Sequence, residues 1–349
     1  MEGMKIDKAL SILLLLASMV LIIAGLQAAT RIIVPVLISI FIAVISLPLQ
    51  NWLIARKVPV ILAVLLTMVT LILIFVGFGF AIGGSVQGFA DKADEYQKNL
   101  VSLVKSLDQY LHPFGMQISS EAVINFLKEN VFNIFKTTLV QGASFVSNIV
   151  LVLLTILFVL FEAARFSKKL ERAIGHERES KGRINKIQKD IQQYLLVKTA
   201  VSLTTGVLVG VALALIGLDF PVLWGLLAFL LNYVPTLGSI LAAGPPILLS
   251  VIQFGSGRVL AVAAVFVVIN ITLGNLVEPA LMGRRLGLSA LVVFLSLVFW
   301  GWVWGPFGMI LSVPLTMIIK IMLENSEDLR WIAIMLGTGK EPHPEKSNS

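Results

Sequence analysis

Two stretches decide the fold of this chain: Phe229-Leu-Leu-Asn-Tyr-Val-Pro-Thr-Leu-Gly-Ser-Ile-Leu-Ala-Ala-Gly-Pro-Pro246 and Trp300-Gly-Trp-Val-Trp-Gly-Pro-Phe-Gly-Met-Ile-Leu-Ser-Val-Pro314. Each contains aromatic residues, a Pro, a Gly two or three residues later, an apolar run and a further Pro. An apolar helix that is broken in this way is typical of membrane proteins whose backbone lines a cavity or meets a substrate. We therefore expect both stretches to be working parts of a membrane protein.

The composition supports this interpretation. Hydrophobic residues make up 57% of the 349 residues and charged residues only 13%, with a mean hydropathy of +0.93, whereas globular domains carry about 25% charged residues. We predict an all-α polytopic membrane protein with about eight hydrophobic segments of roughly 20 residues. The net charge of +7 is expected to come from basic loops beside the spans, so the predicted partner is the lipid bilayer and not nucleic acid.

Shifts in composition predict five regions. They are N-terminal transmembrane helices at 1–84, an extramembrane helical domain at 85–140, a transmembrane helix with a basic cytoplasmic helical loop at 141–199, a core with both broken segments at 200–323, and a polar tail at 324–349. The first apolar run follows Lys5 and Lys8, and a cleaved signal peptide is the alternative to a first transmembrane helix there.

The region 85–140 has its own apolar pattern. Apolar residues recur four and three apart, as in a helical seam, at Phe89, Ala93, Tyr96, Leu100, Leu103 and Leu107. A turn at 112–115 and a second amphipathic helix after Ser119-Ser120-Glu121 are predicted to follow. The seam is expected to pack either the two helices of this domain together or one subunit against another.

The placement of charge predicts the topology. A cytoplasmic N-terminus and a cytoplasmic basic loop at 163–198 satisfy the positive-inside rule and leave 85–140 outside. Each broken segment has about 35 residues, which is too few for two full spans and too many for one. Two re-entrant hairpins of opposite orientation are favoured, as in the inverted repeats of secondary transporters, with both termini cytoplasmic. Eight full spans are the alternative.

Polar residues inside apolar segments are the first candidates for the site, because such residues are costly in a membrane. They are Asn232, Asn270, Asn275 and Glu278. The asparagines are expected to bond either neighbouring helices or a substrate. Glu278 is expected either to exchange a proton or hold a cation, or to be a helix-end carboxylate paired with Arg284 or Arg285.

The residues that break the helices are the second set of candidates. Pro frees a backbone carbonyl one turn earlier, and Gly permits unwinding and close approach. We expect a substrate or ion pathway at Tyr233, Pro235, Gly238, Pro245, Pro246, Pro279, Gly305, Pro306, Gly308 and Pro314. The alternative is that these residues form kinks that serve packing alone.

Motifs of enzymes are missing from the sequence. There is no phosphate-binding loop, dinucleotide fingerprint or zinc-binding HExxH pattern, no cysteine, and three histidines far apart in the chain. We therefore predict no enzymatic activity, cofactor or metal site. Transport would then be driven by an ion gradient, or be facilitated, and would not be driven by ATP.

Four motifs resemble the autoinducer-2 exporter family, also known as PerM-like permeases. They are Tyr233-Val-Pro-Thr-Leu-Gly-Ser239, Gly244-Pro-Pro246, Asn275-Leu-Val-Glu-Pro-Ala-Leu-Met-Gly283, and Gly305-Pro-Phe-Gly308 with Val313-Pro314. The resemblance implies a multi-pass transporter of the bacterial inner membrane, homo-oligomeric and pentameric, that exports autoinducer-2 or a related small solute. Sodium/proton exchange is the activity implied by other members. This chain has no acid near Asn232, where other members carry one.

Two further functional classes remain open from the residues alone. One is a non-transporting oligomeric membrane scaffold whose working part is the seam of 85–140. The other is a channel, which unsaturable flux would reveal.

Overall fold

The computed structural model describes residues 8–111, 149–174, 178–235, 237–255, 257–282, 287–324, 326 and 328–337. Within these ranges every regular element is a helix. The chain forms two compact units, one of Met1–Ala43 with Gly287–Ser349 and the other of Val44–Leu286. The turn and the second helix predicted for 112–148 lie outside the described residues.

The helices follow in chain order. They are α1 (Lys8–Ala28), α2 (Thr30–Ala55), α3 (Val60–Asp91), α4 (Ala93–Leu111), α5 (Ile149–Ile174), α6 (Arg178–Ile216), α7 (Pro221–Leu231), α8 (Leu237–Phe254), α9 (Val259–Ile269), a π-helix (Asn270–Val277), α10 (Glu278–Met282), α11 (Ala290–Glu324) and α12 (Arg330–Leu336).

The described residues contain six helices long and apolar enough to cross a membrane: Thr30–Ala55, Val60–Phe89, Lys189–Ile216, Leu237–Phe254, Val259–Met282 and Ala290–Glu324. Three shorter apolar helices accompany them, at Leu16–Ala28, Ile149–Ala163 and Pro221–Leu231. The prediction of an all-α polytopic membrane protein is confirmed. Many apolar side chains of these helices are exposed in the structure, among them Leu215 and Leu260. Such exposure fits a membrane protein, because lipid tails are as apolar as these side chains.

The region for which an extramembrane domain was predicted begins with a helix that continues almost without interruption from α3. Helix α3 runs to Asp91, and α4 starts at Ala93. The buried face of α4 consists of Tyr96, Leu100 and Val104, spaced four apart. The sequence pattern predicts Leu103 on this face. In the structure the buried residues are four apart throughout, so Val104 is buried and Leu103 is half-buried.

Helix α6 carries the basic segment and the following apolar segment in one continuous helix, as predicted. Its apolar half packs on α7 with almost no side chain between the two backbones. A Cβ at Gly206 would lie 2.6 Å from the carbonyl oxygen of Gly225, and Gly210 approaches Pro221 and Gly225 in the same way. The prediction that Gly206 and Gly210 permit close helix packing is confirmed.

Candidate functional site

The first broken segment folds back on itself inside the larger unit. Helix α7 ends at Leu231, Asn232 to Pro235 form the break, and α8 begins at Leu237. A Cβ at Gly238 would overlap the carbonyl group of Leu231. Gly238 therefore lets the start of α8 lie directly against the end of α7. Pro245 and Pro246, also predicted as site residues, lie within α8 and outside the break.

The second broken segment, in the other unit, uses the same device. Gly305 has φ 66° and ψ −148°, a conformation that interrupts α11 and that only Gly adopts readily. Ser296 Oγ donates to the Ser312 carbonyl at 3.2 Å, although residues 16 apart in a straight helix are roughly 24 Å apart. A Cβ at Gly308 would overlap the carbonyl group of Trp300. The two arms of α11 therefore lie side by side as a hairpin.

Tryptophans stabilise this second hairpin. Trp300 and Trp304 stack with ring centroids 4.8 Å apart. Trp300 Nε1 donates to Thr316 Oγ1 at 3.2 Å, and Trp304 Nε1 donates to the Leu26 carbonyl of α1 at 3.1 Å. Buried indole N–H groups need such acceptors. Near the bend, Pro306 is exposed, whereas Pro314 is buried in the second arm.

Polar side chains bind the first break to α6. Asn232 Nδ2 donates to Ser202 Oγ at 2.9 Å, and Tyr233 OH donates to Thr199 Oγ1 at 2.8 Å. Both acceptors lie on one face of α6, because a helix turns by about 100° per residue. Asn232 is 8% exposed, so its amide must bond within the protein.

The π-helix supplies the third side of the site. Asn270, its first residue, accepts a hydrogen bond on Oδ1 from Ser239 Oγ of α8 at 2.8 Å. A Cβ at Gly274 would lie 2.9 Å from Asn270 Oδ1, so Gly274 makes room for this amide. π-Helical turns are rare and occur frequently at functional sites. Sequence propensity gives no signal for this one.

These three elements enclose a small cavity. Its polar lining comes from Thr205, Asn232, Ser239 and Asn270. The remaining lining residues are Val209, Ala228, Ala242, Phe266, Ile269 and Gly274. The cavity volume is about 10 Å³, which is the room that one water molecule needs. Amide and hydroxyl groups thus converge on a site that is too small for an organic solute in this conformation.

An ion pair between a buried lysine and a half-buried glutamate joins the two helices that carry parts of this site. Lys198 Nζ of α6 is 2.6 Å from Glu278 Oε1, where the π-helix meets α10. The side chains are 5% and 18% exposed. One of the two expectations for Glu278 paired it with Arg284 or Arg285, which lie outside the described residues. Sequence reasoning missed Lys198, because this lysine ends a basic run that is typical of a membrane interface.

The structure brings together only part of the predicted set. Asn232, Tyr233, Gly238, Asn270 and Glu278 all lie where α6 meets the first break and the π-helix. Two further predicted residues, Asn275 and Pro279, are exposed outside the cavity. The described residues include no group of three or more His, Asp or Glu side chains that could hold a metal ion.

Comparisons with known proteins agree over nearly the whole chain. A family described as "AI-2E family transporter" matches residues 16–328. The chain is 37% identical to the AI-2 transport protein TqsA of Escherichia coli K12 over 328 residues, which cover 94% of this chain and 95% of TqsA. It is 36% identical over 342 residues to the putative transport protein YhhT of the same organism, covering 97% and 98%. A putative transport protein of Haemophilus influenzae is 38% identical over 332 residues, covering 93% and 95%.

Proposed function

Because this chain belongs to the AI-2E family of membrane transporters, we propose that it is a secondary transporter that exports a small polar solute, autoinducer-2 or a related molecule. The relative TqsA is named for AI-2 transport, and this name supports the choice of solute. The bacterial inner membrane is the proposed location, with both termini in the cytoplasm.

One structural observation carries the proposal. Hydroxyl and amide groups from α6, from the first hairpin and from the π-helix converge beside an interrupted backbone. Each group is an exchangeable hydrogen-bond partner, so a hydroxylated solute can replace the bonds that the groups now make to one another. Broken helices at such a site are the usual arrangement in secondary transporters.

The small volume of the cavity means that transport of an organic solute requires a movement of the helices around it. A volume of about 10 Å³ admits one water molecule but not an organic solute. The first hairpin or the π-helix must therefore move away from α6 to admit the solute. The bonds Asn232–Ser202 and Tyr233–Thr199 would break in this opening and form again after release.

Sodium/proton antiport is a second candidate function, which one feature favours. The polar part of the cavity lining supplies neutral oxygen atoms, and a carboxylate, Glu278, directly follows the π-helix whose first residue lines the cavity. Neutral oxygens near unwound helices coordinate Na⁺ in other transporters. A cation the size of a water molecule would fit the site without the large opening that an organic solute needs.

Transport by the purified chain in proteoliposomes separates these functions. We expect saturable efflux of autoinducer-2, accelerated by a pH gradient across the membrane. Sodium flux coupled to that gradient, with no movement of autoinducer-2, would replace the first function by the second. Flux that does not saturate would indicate a channel, and no flux of either solute would favour the scaffold.

The proposed topology has its own test, which the lack of native cysteine makes simple. Single cysteines at Gly257 and Ser289 lie after the first hairpin and before the second. Re-entrant hairpins predict that a membrane-impermeant maleimide labels Gly257→Cys from outside and leaves Ser289→Cys unlabelled in intact cells. Eight full spans predict the opposite result. We also propose a homo-oligomer, which native mass spectrometry of the purified protein would count.

A further inference from the structure

The ion pair between Lys198 and Glu278 has features that a permanent structural contact does not need. It joins α6 to the junction of the π-helix and α10, over 80 residues of sequence. The lysine side chain is 5% exposed and the carboxylate 18%. Burying two charges in this way adds little stability compared with apolar packing, although removal of one partner is strongly destabilising.

We propose that Lys198 and Glu278 form a proton-operated latch, which holds the π-helical segment against α6 and opens when a proton binds the carboxylate. The latch rests on the proposed transport function, since it supplies the step that opens the closed site. It concerns the regulation of that site and applies whether the solute is organic or Na⁺.

The consequence of proton binding follows from the charges. With Glu278 ionised, the pair is neutral overall and can remain buried. A proton from water on Glu278 removes the negative charge, and Lys198 is left as an uncompensated buried cation. Such a charge is costly, so the ammonium group must reach water or release its proton. Either change separates α6 from the π-helix, and loss of the proton to water on the other side restores the pair.

The position of the pair couples it to the cavity. Glu278 directly follows the π-helix whose first residue, Asn270, lines the cavity. Lys198 lies one turn before Ser202, which holds Asn232. Movement of the π-helix away from α6 therefore acts on both asparagine contacts.

Among the described residues, Glu278 is the charged group that interacts electrostatically with Lys198. Tyr194 of α6 lies close enough to interact electrostatically with Glu278. The hydroxyl group of Tyr233, in the break, donates a hydrogen bond to Thr199, the residue that follows Lys198. The phenol groups keep their protons at physiological pH. Glu278 and Lys198 are thus the groups whose charge decides the state of the latch.

Labelling with dicyclohexylcarbodiimide tests the latch without any transported solute. This apolar reagent modifies protonated carboxyl groups, and mass spectrometry of the oligomer in detergent locates the adduct. We expect more modification of Glu278 in the unaltered chain at pH 5.5 than at pH 8.5, because the reagent reacts with the protonated carboxyl alone. Modification that stays constant between pH 8.5 and pH 5.5 would overturn the proposal.

Variants of two ion pairs supply the control. Lys198→Met removes the cation from Glu278, so modification of Glu278 at pH 8.5 should reach the level that the unaltered chain shows only in acid. Lys320→Met breaks the i, i+4 pair with Glu324 in the other unit and should leave modification of Glu278 unchanged. Equal effects of both variants would count against a specific latch.

A thiol reporter measures the opening itself. The single cysteine in Thr205→Cys lines the cavity, and Glu278→Gln imitates the protonated carboxyl with little change of shape. At one fixed pH, N-ethylmaleimide should modify the thiol on the order of tenfold faster in the Glu278→Gln background. An unchanged rate in a correctly assembled variant would refute the opening. Carbodiimide labelling that follows pH in a chain that moves no autoinducer-2 would refute the proposed solute and leave the latch supported.

Discussion

Asn232 and Ser202 are joined by a hydrogen bond of 2.9 Å from Nδ2 to Oγ, and this bond fixes the break of the first hairpin to α6. Both residues are buried, Ser202 completely. A buried amide without a partner costs about 1–3 kcal/mol. The bond therefore holds the break against α6, and we expect its loss to affect both stability and transport.

Asn232→Leu should abolish solute efflux while the protein still inserts into the membrane. The leucine cannot bond Ser202, and it puts an apolar side chain into the polar lining of the cavity. Initial rates of efflux from proteoliposomes check this, with the amount of inserted protein measured in parallel. Asn275→Leu is the matched control, because Asn275 is exposed and does not line the cavity. Normal efflux by Asn232→Leu would remove Asn232 from the proposed pathway.

The two hairpins predict that replacing different glycines by alanine has different effects on the melting temperature and on transport. Gly238→Ala and Gly308→Ala place a methyl group where it overlaps a backbone carbonyl group, and overpacking of this kind costs about 1–3 kcal/mol or more. Each variant should melt several degrees lower in detergent and lose most of its transport. Thermal unfolding followed by fluorescence or size-exclusion chromatography measures the shift.

Glycines with open space around them provide the control for this comparison. An added Cβ at Gly244 or Gly79 has no atom within 4 Å. Gly244→Ala and Gly79→Ala should therefore melt at or slightly above the temperature of the unaltered chain, since Ala favours the helix by about 1 kcal/mol. A loss in Gly244→Ala equal to that in Gly238→Ala would show that the close approach at Gly238 is unimportant.

Sequence reasoning anticipated the hairpins but not the contacts around them. The breaks were predictable because Pro and Gly act on their own backbone, and the close helix packing at Gly206 was predictable for the same local reason. The Lys198–Glu278 pair was missed because it joins residues 80 apart. The π-helix was missed because its sequence, Asn270–Val277, has no distinctive propensity. In α4, Leu103 and Val104 are both apolar, and tertiary packing alone chooses between them.

The bend of the second hairpin depends on a backbone conformation that residues other than glycine rarely adopt. Gly305 has φ 66° and ψ −148°, which lies in a region that is essentially restricted to Gly. Gly305→Ala meets no neighbouring atom, so its effect should come from backbone strain alone, about 1–3 kcal/mol. We expect Gly305→Ala to have a lowered melting temperature. Phe307→Ala is the control at a partly exposed neighbouring residue and should not show the same decrease. Equal melting temperatures for Gly305→Ala and the unaltered chain would mean that the bend relaxes.

The α4 helix is fastened to the connection between α6 and α7 by Asp219. Lys92 Nζ lies 2.8 Å from both carboxylate oxygens, and Tyr96 OH donates to Oδ2 at 2.7 Å. Burial raises the pKa of the Tyr96 phenol well above its usual value, and the hydrogen bond to the Asp219 carboxylate raises this pKa further. The folded protein therefore keeps a proton that the unfolded chain releases near pH 10.

This retained proton predicts a loss of stability in alkali. The contribution of Tyr96 is complete below about pH 10 and declines as the pH rises above that value, because the unfolded state then binds fewer protons than the folded one. Hydrogen exchange in α4 should accelerate between pH 9 and pH 11 beyond the intrinsic dependence of amide exchange on pH. In Tyr96→Phe this additional acceleration should be absent, although the helix should be less stable at neutral pH by about 1 kcal/mol, because the half-buried carboxylate of Asp219 has lost a hydrogen-bond donor. Lys92 is present in both proteins, so the difference between them isolates the phenol. An identical alkaline response in the two proteins would show that the proton of Tyr96 does not hold α4 in place.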